Sequence, residues 1–165
     1  MIILGIDPGV ATTGVGVIRY IGSKFTLIYY GIISTPANTA LPIRLEQIQK
    51  ELTTIISTYN PDAVAIEDIF FHKNVKTAIN VAQARGVLLL TVQNNKKPIV
   101  SYTPPEIKLG VCGYGKATKD QVQFMVKKLL KLSKIPKPDD AADALAISIC
   151  HAHAHKYKQL AKTQK

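Results

Sequence analysis

The chain has no tryptophan, only two cysteines in 165 residues, and 11 acidic residues against 21 basic ones. Cys112 and Cys150 lie far apart and outside any metal-ligand spacing, which excludes a disulfide framework and a cysteine-built zinc site. No run approaches the roughly 20 apolar residues of a membrane-spanning helix. The N-terminal apolar run has no charged segment before it and stops at Asp7, so a secretory leader is not expected. These absences point to a cytoplasmic protein in a reducing setting. What is present is a 47% hydrophobic composition and a length that fits one domain with a full core.

The formal net charge of +10 is unevenly spread. Residues 1–107 hold 9 basic and 7 acidic residues, a balance of +2, whereas residues 108–165 hold 12 and 4, a balance of +8. Such asymmetry points to a polyanion, most often nucleic acid, although a solvated basic surface also accounts for it.

Periodicity predicts strands over residues 2–7, 14–20 and 24–34, the last two joined by a turn at Ile21, Gly22 and Ser23. Leu45, Ile48, Leu52, Ile55 and Ile56 recur at helical spacing within residues 41–59. A short strand over 63–67, an alanine-rich helix over 76–93, a strand over 99–102 and a short helix around Ile107 follow. Thr118 and Gln121 form a capping box for a helix reaching about residue 132, and Asp139 is expected to cap a final helix over 140–155. The pattern predicts an α/β domain with a mixed sheet.

Four acids stand in apolar surroundings. Asp7 and Glu67 end aliphatic strands, and Asp140 and Asp143 lie three apart on one helix face. Turn preference explains Asp7 alone, a strand-end surface charge explains Glu67, and capping explains Asp140. Asp143 sits beyond the first turn in the run AADALAISIC, where an unpaired carboxylate is costly. Lysines are scarce beside these acids in the sequence. Carboxylates converging from separate elements suit hard Mg²⁺ ions, and a pair of such ions stabilises the attacking and leaving oxygens in phosphodiester hydrolysis.

The blocks GIDPGVATTGVGVI, AIEDIFFHKN, AQARG and DDAADALAI, in that order and spacing, resemble the RuvC family of Holliday junction resolvases over residues 1–151. The resemblance implies an RNase H-like fold, a five-stranded mixed sheet flanked by helices. It implies a homodimer that uses Mg²⁺, two ions per subunit, or Mn²⁺, and places paired symmetric nicks in a four-way DNA junction during recombination and repair. It places the catalytic, metal-binding acids at Asp7, Glu67, Asp140 and Asp143. Some relatives carry histidine at the position of Asp140, and Asp68 adds a fifth acid where relatives often have a neutral residue. DNA contacts fall on Phe70, Lys73, Lys108 and Lys119. Phe70 would wedge against junction bases, and Lys119 would share a phosphate with the free N–H groups of its helix start. The resemblance also implies that the 76–93 helix contributes to the dimer interface, which its small residues Ala78, Ala82, Ala84 and Gly86 would suit, although close packing on its own sheet also accounts for them. The branch-migration proteins RuvA and RuvB are implied as partners, with no surface assigned.

Lys116, Lys127, Lys128 and Lys131 read as a solvated face. His151, His153 and His155 read as a frayed helix end, leaving one nuclease domain over 1–155 and a flexible basic tail over 156–165. Rival readings are an RNase H-like nuclease of other specificity, an actin-like ATPase or sugar kinase, and a non-enzymatic basic DNA-binding protein. The ATPase needs two lobes, and 165 residues supply barely one.

Overall fold

A computed structural model of the chain describes residues 1–69 and 75–163. Its ten elements are β1 (Ile2–Asp7), β2 (Thr12–Ile21), β3 (Lys24–Ser34), α1 (Leu41–Tyr59), β4 (Ala63–Glu67), α2 (Val75–Asn94), β5 (Ile99–Tyr102), α3 (Pro104–Cys112), α4 (Lys119–Leu129) and α5 (Asp139–Thr163). The strands form one sheet in the order β3-β2-β1-β4-β5. β1, β2 and β3 pair antiparallel, while β4 joins β1 and β5 joins β4 in parallel. This is the expected five-stranded mixed sheet of the RNase H-like fold.

Local chemistry sets the connections. Gly22 and Ser23 both have positive φ, 52° and 68°, which suits the tight hairpin between two right-twisted strands. α1 opens with proline in its first turn and ends at Asn60 in the left-handed conformation. The parallel pairings need the helical crossovers that α1 and α2 provide.

Two cores sandwich the sheet. On one face Leu4, Ile6, Val15, Val17, Val64 and Ile66 pack against Ile48, Leu52 and Ile56 of α1 and Ala84, Leu88 and Val92 of α2. On the other, Ile3, Ile18 and Ala65 pack against α3, α4 and α5. α5 lies between the sheet and α3–α4, so every residue from 141 to 152 except Asp143 is buried. Its apolar character on all sides follows from that position.

Three glycines bring α5 onto the sheet. A side chain at Gly5 would collide with the backbone of Ala144 and Ser148, one at Gly14 with Asp140, and one at Gly16 with Leu145. Without a Cβ on these strand positions, helix backbone rests on strand backbone. The first turn of α5 is thereby held over the end of β1.

Several boundaries differ from the sequence reading. α4 stops at Leu129, and α5 continues past His155 to Thr163. Asp139 is a member of the α5 first turn, and its carboxylate is bonded to Lys137 at 2.6 Å. The expected fraying around the histidines is also corrected. His151 is buried with Nδ1 2.9 Å from the Tyr102 hydroxyl, and His153 Nδ1 lies 2.7 Å from the Gly110 carbonyl. Both rings belong to the packing of α5 against β5 and α3.

Candidate active site

Strand alternation decides which acids meet. Along β1, Ile3 and Gly5 face α5, so Asp7 faces it too. Along β4, Ala65 faces the same side, and so does Glu67. Because Ile6 is paired with Ile66 in parallel register, Asp7 and Glu67 stand side by side at the carboxyl ends of adjacent strands. In open α/β sheets, ligand sites gather at such ends.

α5 supplies the other two acids. The Asp7 carboxyl is raised from 3.8 to about 8, first by burial and then by the charges of Glu67, Asp143 and Asp140. Glu67 is raised chiefly by burial, and its carboxyl is close enough to Asp7 for the two to share a proton. Asp143 is also raised by burial, with Lys119 opposing. The four sequence-selected acids therefore form one electrostatic unit.

Lysines enter through the tertiary fold. Lys119, the first residue of α4, lies 3.1 Å from Asp143 and 3.3 Å from Asp139. Burial alone would lower its ammonium, but the bonds to Asp143 and Asp139 outweigh this and hold it above the usual lysine range. The expected cap is present: Thr118 accepts from the Gln121 N–H, and the Gln121 side chain accepts from Thr118 N at 2.9 Å. A second capping box, Thr103 with Glu106, opens α3, the helix that carries Lys108. Glu67, Lys108, Lys119 and Asp143 line a cleft of about 190 Å³ floored by Ile107, Val122 and Ile147. Thus the scarcity of lysine around the acids holds along the chain but not in space.

Asp68 points to the opposite side. Its carboxylate is 3.1 Å from Arg85 of α2, and Arg85 also donates to the Glu67 carbonyl at 3.1 Å and to Ser101 Oγ at 2.8 Å. Arg85 was not among the residues singled out from sequence, yet it ties α2 to the ends of β4 and β5. The AQARG block was the only signal for it. Phe70 and Lys73 lie outside the described residues. Among the described residues, no three acidic, histidine or cysteine side chains already converge as a metal-binding group. Lys119 provides the cation on Asp143 in this arrangement.

The family model for crossover junction endodeoxyribonuclease RuvC matches residues 3–151. The chain belongs to the RuvC family. It is 56% identical over 162 residues to RuvC of Alkaliphilus oremlandii, covering 98% of this chain and 99% of that one. RuvC of Clostridioides difficile is also 56% identical over 162 residues, with 98% and 96% covered. The structure of Thermus thermophilus RuvC superposes with a TM-score of 0.90 at 31% identity, covering 96% of this chain and 97% of that one. The same Thermus protein in complex with Holliday junction substrate gives a TM-score of 0.87 at 29% identity, with 95% and 96% covered. RuvC membership makes this chain a crossover junction endodeoxyribonuclease that resolves Holliday junctions.

Proposed function

We propose that Asp7, Glu67, Asp140 and Asp143 are the catalytic acids of this RuvC nuclease and that they hold Mg²⁺, with Mn²⁺ able to substitute. The observation that carries the assignment is the convergence of the four acids. Parallel register sets Asp7 beside Glu67 at the ends of β1 and β4, and the seating of α5 on Gly5 and Gly14 brings Asp140 and Asp143 to the same end, where burial and the other acids push the Asp7 carboxyl up. Carboxylates crowded this way in a partly dry pocket lack positive charge, and an all-oxygen donor set suits a hard divalent ion. Lys119 neutralises Asp143 on one side only. When bound, a pair of such ions stabilises the attacking and leaving oxygens of phosphodiester hydrolysis.

The chain's own groups do the rest. Lys119 and Lys108 face the cleft and hold the phosphate to be cut. As a phosphate approaches, the Lys119 ammonium turns from Asp139 and Asp143 towards it, freeing both carboxylates. Ile107, Val122 and Ile147 keep water from the cleft floor, which strengthens every charge interaction above it. Phe70 and Lys73 are proposed to meet bases and backbone at the crossover.

Paired nicks need two sites, which a two-fold dimer supplies. α2 presents Ile79 and Leu90, 52% and 60% exposed, on either side of Gly86, whose open surroundings admit a close neighbour. Ala84 is turned into the core instead, so only part of the small-residue stripe serves self-pairing. Collaboration with RuvA and RuvB is proposed from the likeness to the RuvC family alone, and a cytoplasmic location from the reducing setting that the two free cysteines suggest. No described helix is long and apolar enough to cross a membrane.

The test is Asp7→Asn on a synthetic four-way junction with and without Mg²⁺. Junction binding is expected to persist while nicking disappears. Nicking at near wild-type rate would overturn the assignment.

A further inference from the structure

A second crevice, of about 360 Å³, opens on the far side of Asp7 and is bordered by Pro8, Gly9, Thr12, Arg44, Asn80 and Asp140. Its walls are the β1–β2 turn, the first turn of α1 and the start of α2. The catalytic cleft is walled instead by α3, α4 and α5. Asp140, which acts on Asp7 electrostatically, borders this second crevice, so the two concavities flank one group of acids.

Arg44 is fixed in the crevice wall by one edge. Its Nε donates to Thr35 Oγ1 at 2.7 Å, and the Thr35 hydroxyl donates to the Val10 carbonyl at 2.5 Å. Thr35 is buried and Arg44 half-buried. Among the described residues no carboxylate lies within 4 Å of the Arg44 guanidinium. Residues 70–77 and 157–165 contain no aspartate or glutamate. A half-buried guanidinium held through Nε keeps its terminal N–H groups as a fork, the geometry that matches a phosphate. Asn80, exposed on α2, adds an amide at the opposite wall.

We propose that Arg44 and Asn80 seat a second backbone phosphate of the junction strand, on the α1–α2 side of Asp7, while Lys108 and Lys119 hold the strand from the α3–α4 side. The inference rests on the reading of Asp7 and its neighbours as the nicking centre. The seat fixes the strand at two points across the acids, which sets the register of the scissile phosphate. Asp140 opposes an anion in this crevice, so the seat depends on the charge of Arg44, the one cation among the described residues that line it.

The experiment is equilibrium binding of a labelled four-way junction to the full-length protein in EDTA, from 50 to 200 mM KCl. Arg44→Gln is expected to lower the slope of log affinity against log salt by about 0.9 per engaged subunit. The wild-type advantage then shrinks about 3.5-fold per subunit across that fourfold salt range. Asn80→Asp, an exposed change that leaves the Thr35 bond intact, is expected to weaken binding and lower the slope in the same direction. Thr35→Val keeps the guanidinium charge and is expected to keep the slope. An unchanged slope in Arg44→Gln, an unchanged affinity and slope in Asn80→Asp, or an equal loss in Thr35→Val would overturn the seat. If Arg44→Gln does not fold, Asn80→Asp and Thr35→Val decide. The nicking centre stands or falls separately, on Mg²⁺-dependent cleavage by the wild type and its loss in Asp7→Asn.

Discussion

Replacing Asp7 by asparagine should stabilise the metal-free protein, increasingly so as pH rises from about 4 to about 8. In the folded chain the Asp7 carboxyl keeps its proton to about pH 8, whereas unfolding returns it to 3.8. Between those values the folded state binds the extra proton, so stability falls as pH rises. The penalty is absent below about pH 4 and complete above about pH 8. The gap spans about four decades of proton affinity at about 1.36 kcal/mol each, a ceiling near 6 kcal/mol. The cleft is open to water and Glu67 competes for the same proton, so about 2–3 kcal/mol is expected to reach stability. For a domain of this size that is a rise of about 5–10 °C in Tm. The assay is thermal unfolding of wild type and Asp7→Asn in EDTA at half-unit steps from pH 4 to pH 8.5. Their difference should grow from near zero to its full value, other titrations cancelling. Adding Mg²⁺ at 100 times its Kd should raise the wild type by about 2.7 kcal/mol and the variant by much less. A difference that does not vary with pH, or a variant less stable throughout, would refute the crowding of acids around Asp7.

Other expectations follow from the same geometry. Gly5→Ala drives a methyl into the Ala144 carbonyl and should cost at least 1–3 kcal/mol in denaturant unfolding, about the usual range for overpacking, and slow nicking by shifting α5. Lys119→Met removes the cation from Asp143, whose carboxyl should titrate still higher by NMR, while nicking falls at least 100-fold, about the loss expected when a transition-state charge contact is deleted. Leu90→Glu with Ile79→Glu places charge on the exposed α2 stripe and should leave a folded monomer by analytical ultracentrifugation. Arg85→Met leaves Asp68 and the Glu67 carbonyl without their donor and should cost about 1–3 kcal/mol, with little change in junction affinity.

The sequence by itself determined the elements and the chemistry of their ends. Apolar spacing marked α1, alternation and aliphatic runs marked the strands, and Thr118 with Gln121 marked the start of α4, because each signal acts within a few residues. It also picked out Asp7, Glu67, Asp140 and Asp143, since a carboxylate inside an apolar element is costly wherever the fold takes it. Only the tertiary structure decided that Gly5, Gly14 and Gly16 are the contact plane for α5, because a missing Cβ matters only against a neighbour. It placed Lys119 on Asp143 across 24 residues of chain and Arg85 on Asp68 across 17. It drew His151 and His153 into the packing of α5, where helical spacing alone had left them at a solvated end. Local patterns record what each segment prefers. Which charges meet depends on the register of parallel strands and the approach of one helix, and these arise only when the whole chain packs.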